Sequence, residues 1–449
     1  MKIPSLLAPI KQLRDSSPLL GKIIRGAGWL IFDRIVQLFA SICVGIWVAR
    51  YLGADQFGVL SFVLSFVALF GAASTLGINN IAVRQLVREP EEAPVIVGTT
   101  FFLLIIGGLL SILIVNLAAW WLQYESPHIR WLIFVSCLTL LFQASIALRL
   151  WFESRLEMKF ISWSLAAAVV IVGVVKLALI FLGASLVHFI YASVLESALV
   201  FIFLFYSYSS ASSDLKLCRV TFERAKSLLA SSWPLLLSGV VLMIQARTDV
   251  IMLGQLSTNI QVGYYASALQ LITALAVVPM MVQKLFLPML VKSHGSDSKE
   301  QYDSMILNYY RLHFCIGLLL ALPIFIFGEK IIVLLYGASF APAGYLLSLM
   351  AIRLLLGHIG VARGAFLLNE DMMKFSFLTM LIGTVANVVL NYLLIPKYQA
   401  AGSMIATIIS FSISVLVLDL FIRKTRGNVV RMVHSILTVG RLRLAAFDN

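Results

Sequence analysis

Residues 28–52 read GWLIFDRIVQLFASICVGIWVARYL, an apolar run in which only Asp33, Arg34 and Arg50 are charged. A helix rises about 1.5 Å per residue, so a run of this length crosses a hydrocarbon core of roughly 30 Å. Basic residues precede the run, but it is too long for the apolar core of a secretory signal. It therefore predicts a membrane-spanning helix that is kept in the protein.

The same pattern recurs along the whole chain. Of its 449 residues, 61% are hydrophobic and 12% are charged, whereas an ordinary soluble domain has about 45–50% and about 25%. Apolar runs separated by charged residues, Gly and Pro predict twelve spans between residues 28 and 423. The sequence therefore predicts an all-α polytopic membrane protein and excludes a soluble globular domain.

The longest internal connection separates six predicted spans from six and predicts a boundary between two domains. The predicted organisation is a cytoplasmic N-terminal segment at 1–27, a first six-helix bundle at 28–208, a cytoplasmic linker at 209–232, a second six-helix bundle at 233–423 and a basic cytoplasmic tail at 424–449. A faint repeat, in which Gly58 corresponds to Gly263, supports two equivalent halves. Two such bundles are expected to surround a central cavity.

The net charge of +13 serves as an orientation signal. The predicted outer loops hold only Arg130, Lys330 and Lys397, while the inner segments hold most of the remaining Lys and Arg outside the spans. The positive-inside rule therefore predicts that both termini are cytoplasmic. Since membrane orientation accounts for the distribution of the basic residues, no nucleic-acid partner is predicted.

Several functional classes lack their sequence signals. The chain has no Gly-x-x-x-x-Gly-Lys-Ser/Thr phosphate loop, and its Cys and His residues have no metal-ligand spacing. The predicted outer loops are too short for an extracytoplasmic catalytic domain. The sequence therefore predicts a transporter rather than an enzyme, with no catalytic residue, metal or cofactor.

Charged residues deep in the predicted spans are the candidate functional residues, because each costs at least about 2.5–3.5 kcal/mol on insertion scales. They are Asp33, Arg34, Lys176, Glu196, Arg247, Asp249 and Arg353. Helical rise places Lys176 and Glu196 within reach of each other, so a structural ion pair is one interpretation of these two. The charges near the inner ends of spans are expected to snorkel to the headgroups; they are Arg149, Lys284, Arg311, Arg363 and Asp419.

Arginine is the side chain best suited to an anionic ligand, since its guanidinium binds phosphate oxygens bidentately and stays charged. Arg353 shares a helix face with three glycines, which predicts that it points into the bundle. The predicted substrate-binding residues are Arg34, Arg50, Arg247 and Arg353. The residues predicted for coupling to an ion gradient are Asp33, Lys176, Glu196 and Asp249.

Three groups of motifs carry a family resemblance. They are ARYLGADQFG at 49–58 with LGINN at 76–80; RTDVIMLG at 247–254 with VGYY at 262–265; and YG at 336–337 with NVVLNYLLIP at 387–396 and Ala406-Thr407. Together they resemble the Wzx-type O-antigen and exopolysaccharide flippases of the multidrug, oligosaccharidyl-lipid and polysaccharide exporter superfamily. One departure is Gln399, near which members usually have a glycine.

The resemblance implies a substrate and a mechanism. Such flippases move an undecaprenyl-diphosphate-linked oligosaccharide repeat unit from the inner to the outer leaflet of the bacterial cytoplasmic membrane, by alternating access and without ATP. A proton or sodium gradient is the expected driving force, and the polysaccharide polymerase and ligase are the expected protein partners. The alternatives are a drug or metabolite antiporter of the same superfamily and a glycan polymerase or ligase. A major-facilitator transporter is disfavoured because its loop motif is missing after the second span.

Overall fold

The computed structural model describes residues 18–121, 127–211, 219–294 and 299–441. Within these ranges the chain is helical and contains no strand, which confirms the predicted all-α class. The described residues form two compact units. Unit 1 comprises 18–48 and 63–243, and unit 2 comprises 49–62 and 244–441.

Fifteen α-helices are found in the described residues, nine of which begin before residue 256. These nine are α1 (Pro18–Leu69), α2 (Gly71–Ser74), α3 (Asn79–Arg88), α4 (Ala93–Trp121), α5 (Pro127–Phe142), α6 (Ser145–Ser154), α7 (Met158–Phe181), α8 (Leu186–Ala211) and α9 (Phe222–Leu256). The remaining six are α10 (Asn259–Leu275), α11 (Val277–His294), α12 (Lys299–Tyr336), α13 (Pro342–Asn369), α14 (Met373–Ser412) and α15 (Arg423–Leu437).

Short irregular turns complete the described helical structure. Three-residue 3₁₀ turns occur at Pro90–Glu92, Ala338–Phe340, Leu418–Leu420 and Val439–Arg441. A π-helical turn, Ile413–Val417, follows α14.

Ten segments of the described chain are long and apolar enough to cross a membrane. Two of them contain a residue with non-helical backbone, Gly53 (φ 70°) in α1 and Gln399 (φ 50°) in α14. The protein is therefore a multi-pass membrane protein. The count of twelve spans and the cytoplasmic position of the termini stay predictions.

The break at Gln399 is a hairpin between two helical arms. Asn387 and Thr407 are 20 residues apart, which would separate them by roughly 30 Å in a straight helix. Instead, Nδ2 of Asn387 lies 3.2 Å from Oγ1 of Thr407. A Cβ on Gly402 would overlap the carbonyl oxygen of Leu394, so the arms pack tightly beside the turn. The hairpin falls where the sequence predicts the boundary between the last two spans.

The segments predicted outside the bundles are partly helical. Residues 18–27 belong to α1, and residues 222–232 of the predicted linker begin α9. The predicted tail contains most of α15. Residues 212–218 of the linker and 442–449 of the tail lie outside the described residues. The predicted domain boundaries themselves stay predictions.

Buried aromatic clusters hold the helices within each unit. In unit 1, the rings of Trp151 and Tyr208 pack edge to face with centroids 5.0 Å apart. In unit 2, Tyr309, Tyr310 and Phe366 are almost completely buried in one apolar core. Large rings with one polar atom fill space in such cores and also offer a hydrogen-bonding group.

Candidate functional site

Asp249 is a buried carboxylate on α9 in unit 2, with 6% of its surface exposed. Its Oδ1 accepts hydrogen bonds from Nδ2 of Asn387 at 3.1 Å and Nδ2 of Asn391 at 2.8 Å. Its Oδ2 accepts from the Tyr265 hydroxyl at 2.7 Å and from Oγ1 of Thr407 at 2.6 Å. Four neutral donors therefore surround one carboxylate.

Two helices supply these donors, one of them through both arms of its hairpin. Tyr265 projects from α10, whereas Asn387 and Asn391 lie on α14 before the hairpin at Gln399. The two asparagines are four residues apart and so share one face of their helix. Thr407 follows the hairpin and returns to the same place. The kink in α14 is thus what assembles the site.

The chemistry of the Asp249 cluster suits a small hard cation or a proton. Asp249 makes no ion pair with any residue in the described part of the chain. Oδ1 of the neighbouring Asn391 is buried without a hydrogen-bond partner there. An amide that rotates would turn an oxygen toward a cation, and hard cations prefer carboxylate, amide and hydroxyl oxygens. Groups of three or more His, Cys, Asp and Glu that would suit a transition metal are absent from the described residues.

Two of the predicted arginines belong to the same unit as this cluster. Arg353 on α13 is half-buried, and its charge lies close enough to act on the hydroxyl of Tyr265. Arg247 on α9 is also half-buried, and its Nε has no hydrogen-bond partner among the residues described. Neither guanidinium forms an ion pair with a described residue. A half-buried guanidinium without a carboxylate partner is a candidate receptor for an anion.

The other two predicted arginines are exposed. Arg50 donates a hydrogen bond of 2.9 Å to the carbonyl oxygen of Leu334, in the last turn of α12. Carbonyl groups at the end of a helix lack partners within it and carry a partial negative charge. Arg50 thus caps α12 in unit 2. Arg34 lies on α1 in unit 1, with an exposed side chain.

The remaining ion-coupling candidates form two local contacts within unit 1. Asp33 is buried and accepts hydrogen bonds from Nε2 of Gln37 at 2.9 and 3.1 Å. Nζ of Lys176 lies 3.3 Å from Oε2 of Glu196, between α7 and α8. The contact that helical rise predicts for this pair is therefore present. Their role in coupling stays a prediction.

The prediction that charges near the inner ends of spans reach the headgroups is wrong for Arg363 and Asp419. Asp419 is fully buried, and the Arg363 guanidinium donates to its two carboxylate oxygens at 2.6 and 2.9 Å. The same guanidinium donates to Oγ1 of Thr379 at 3.1 Å. Position along a span determines depth, but it does not tell which neighbouring helix a side chain faces. Here α14 and the 3₁₀ turn at Leu418–Leu420 supply the partners of Arg363.

Sequence reasoning predicted Asp249 as a candidate residue but did not predict its four partners. Tyr265, Asn387, Asn391 and Thr407 occur in the motifs that carry the family resemblance, yet they were not predicted as site residues. A signal was available, because two asparagines at a spacing of four in an apolar span need a polar partner on one helix face.

A family model described as "Polysaccharide biosynthesis protein" matches residues 47–345. Agl15 of Haloferax volcanii, described as a probable low-salt glycan biosynthesis flippase, is 25% identical over 210 residues, which cover 46% of this chain and 43% of that protein. The chain thus aligns with less than half the length of Agl15. AglR of the same organism, described as a probable flippase, is 24% identical over 420 residues, covering 88% of this chain and 82% of AglR.

A solved structure has a similar fold. The lipid II flippase MurJ, in an inward closed conformation, superposes with a TM-score of 0.65. The superposition covers 93% of this chain and 92% of MurJ at 16% sequence identity. At this identity the likeness concerns the fold alone.

Proposed function

Since this chain belongs to the polysaccharide biosynthesis protein family, we propose that it is a flippase for lipid-linked glycans. Its substrate would be an undecaprenyl-diphosphate-linked O-antigen or exopolysaccharide repeat unit. The protein would move this unit from the inner to the outer leaflet of a bacterial cytoplasmic membrane by alternating access. The descriptions of Agl15 and AglR as probable flippases support the transport of a lipid-linked glycan.

The observation that carries the proposal is the pair of half-buried arginines without carboxylate partners in unit 2. A diphosphate offers several oxygens to a guanidinium, which binds such groups bidentately. Arg353 and Arg247 would bind the diphosphate, while the polyprenyl chain stays in lipid. Moving the polar head along protein avoids exposing its charges to hydrocarbon, where the barrier to unassisted flipping lies.

The Asp249 cluster would couple transport to an ion gradient. A sodium ion or a proton bound at Asp249 neutralises a carboxylate that has only neutral partners among the described residues. Neutralisation changes the charge next to Tyr265, and the charge of Arg353 acts on the same hydroxyl. Ion occupancy and the anion affinity of Arg353 would then be linked, and such linkage is reciprocal.

The proposal is tested by the leaflet position of the lipid-linked repeat unit in a strain that makes one defined surface polysaccharide. Deletion of this gene should leave single, unpolymerised units on the cytoplasmic side, and the intact gene should reverse the effect. Units that reach the outer leaflet normally in the deletion strain would reject flipping. Transport of a soluble cation by the purified protein in vesicles, without flipping, would favour the alternative of a drug or metabolite antiporter.

Variants of Arg353 test the proposed headgroup contact. Arg353→Ala should reduce export about 10- to 100-fold, the effect of losing one charge-assisted hydrogen-bonded contact. Arg353→Lys keeps the charge but loses the bidentate geometry, so it should lie between Ala and wild type. Arg130→Ala, at an exposed position, is the matched control. Normal export by Arg353→Ala at equal abundance would remove this residue from the mechanism.

A further inference from the structure

Helix α15 (Arg423–Leu437) is amphipathic and docks on unit 2 through one face. Nδ2 of Asn428 donates to the hydroxyl of Tyr310 at 2.8 Å, and the Arg431 guanidinium donates to Oδ1 of Asp303 at 2.7 Å. Both partners lie on α12. These contacts fix the rotation of α15 about its axis.

A second side of α15 carries large apolar side chains that no described residue covers. Val430, Val433 and Leu437 have 64%, 49% and 78% of their surface exposed. Their spacing of three and then four residues places them in one stripe along the helix. Phe421, two residues before α15, is 75% exposed. An apolar stripe beside a docked face indicates contact with a further apolar phase.

Two observations identify that phase as a lipid surface. The last segment able to cross a membrane, Met373–Leu420, ends three residues before α15 begins. The helix therefore begins directly after a segment that is able to lie in lipid. The first turn of α15 contains Arg423, Lys424 and Arg426. Lys424 pairs with Glu370 at 3.3 Å, whereas Arg423 and Arg426 are exposed and form no ion pair with a described residue, so their charges complement anionic headgroups. Basic residues next to an apolar stripe are typical of helices that lie in the interface plane.

We propose that α15 is a membrane-surface helix whose apolar stripe inserts at the headgroup boundary and whose first turn binds anionic phospholipid. Through Tyr310 and Asp303 it holds the adjoining end of α12 at that surface. The proposal uses no residue of the candidate site and does not depend on the transported substrate. A cytoplasmic protein that covers the stripe is the competing occupant.

Site-directed spin labels in the full chain test the proposal. Each of Val430, Val433 and Leu437 is replaced by a labelled cysteine in a cysteine-free background, and the protein is reconstituted in phosphatidylcholine vesicles with or without phosphatidylglycerol. Labels at Gly427 and His434, exposed on the polar side of the helix, are matched controls. Collision with oxygen reports lipid, and collision with a water-soluble nickel chelate reports water.

The stripe labels should show a several-fold higher ratio of oxygen to nickel collisions than the two controls. Nickel access at all five positions would overturn the proposal in favour of a solvated helix. Stripe labels that neither reagent reaches would overturn it in favour of a protein contact. The stripe should also lie deeper with phosphatidylglycerol present, and Arg423→Gln with Arg426→Gln should abolish that difference. Equal depth of the stripe labels in both lipids, without the charge substitutions, would overturn the proposal that the first turn binds anionic phospholipid.

Discussion

Gly58 and Gly263 make a reciprocal contact within unit 2. A Cβ on Gly58 would overlap the carbonyl oxygen of Asn259, and a Cβ on Gly263 would overlap the carbonyl oxygen of Ala54. Ala54 precedes Gly58 by four residues, as Asn259 precedes Gly263. The two segments therefore meet as a pair related by a local two-fold axis, in which each glycine admits the backbone of the other segment. The faint sequence repeat is thus also a repeat in packing.

Replacing either glycine should destabilise unit 2. Gly58→Ala and Gly263→Ala each force an added methyl group against a backbone carbonyl, so we expect each to lower the free energy of unfolding by about 1–3 kcal/mol. The double variant should lower the free energy of unfolding by less than the sum of the two single effects, because the two sites share one contact. Thermal unfolding in detergent measures these changes. Gly364→Ala, where no atom lies within 4 Å of the added Cβ, is the control; equal behaviour of all three variants would contradict the close contact.

Substitution of Asp249 should abolish the ion dependence of stability. If sodium binds at the Asp249 cluster, wild-type protein should gain about 2.7 kcal/mol at a sodium concentration 100 times the dissociation constant. Asp249→Asn should lose this gain while it keeps the fold, because its side chain has nearly the same shape. Unfolding in sodium chloride against choline chloride, repeated across pH, separates sodium from protons.

The control for the ion experiment is Asp55→Asn, at an exposed carboxylate. It should respond to ions as the wild type does. Equal ion stabilisation of Asp249→Asn and wild type, or no response of the wild type to either sodium or pH, would contradict the proposed coupling site.

Breaking the buried Arg363–Asp419 pair should lower the free energy of unfolding far more than breaking a partly exposed pair. Asp419→Asn or Arg363→Ala leaves an uncompensated buried charge, which costs about 3–5 kcal/mol. Arg363→Met with Asp419→Leu removes both charges and should recover much of this loss. The partly exposed Arg431–Asp303 pair, with 27% and 39% of the side chains exposed, provides the comparison, with an expected coupling of about 0–1 kcal/mol. Similar coupling energies from the two double-mutant cycles would show that burial has no effect.

Gln399→Gly should stabilise the α14 hairpin. Gln399 has φ 50° and ψ −131°, a conformation that glycine adopts with little strain. Relief of strain outweighs the extra entropy of glycine in the unfolded chain, so the expected gain is about 1 kcal/mol. Gln399→Val should destabilise, since a β-branched side chain is least suited to this conformation. Thermal unfolding of the two variants should therefore shift in opposite directions; a loss of stability in Gln399→Gly would contradict the strain argument.

His313 and His358 should be replaceable by apolar residues with a gain in stability. Both are fully buried, their ring centroids are 5.8 Å apart, and their ring nitrogens have no hydrogen-bond partner in the described part of the chain. An unsatisfied buried polar group costs about 1–3 kcal/mol. His313→Leu and His358→Leu should therefore raise the unfolding temperature. A fall in that temperature would indicate a water molecule or other polar ligand between the two rings.

The sequence was sufficient for contacts between neighbouring helices. Lys176 and Glu196 are 20 residues apart across one hairpin, so helical rise alone predicts that they meet. Asp249 was predicted from its cost in the membrane. Its partners Asn387 and Thr407 were not, because they are 138 and 158 residues away and no local pattern fixes the rotation of such distant helices.

The same limit explains Arg50 and Arg363. Each was noted from its position in a predicted span, but its partner lies in an element that is distant in sequence. Arg50 bonds Leu334, 284 residues away, and Arg363 bonds Asp419, 56 residues away. Local sequence patterns therefore predict which residues are unusual for a membrane span, whereas the packing of the helices determines which residues they contact.

The α14 hairpin also dictates the earliest time during synthesis at which the Asp249 cluster can form. Asp249 leaves the ribosome 158 residues before Thr407, an interval of roughly 8–30 s at about 5–20 residues per second. Until Asn387 follows, 138 residues after Asp249, the acid has neither its asparagine donors nor the threonine hydroxyl, so water must solvate its side chain. Formation of the turn around Gln399 brings Thr407 back beside Asn387 and so completes the donor set. Membrane insertion of that turn is therefore the step that completes the Asp249 cluster in the nascent second unit.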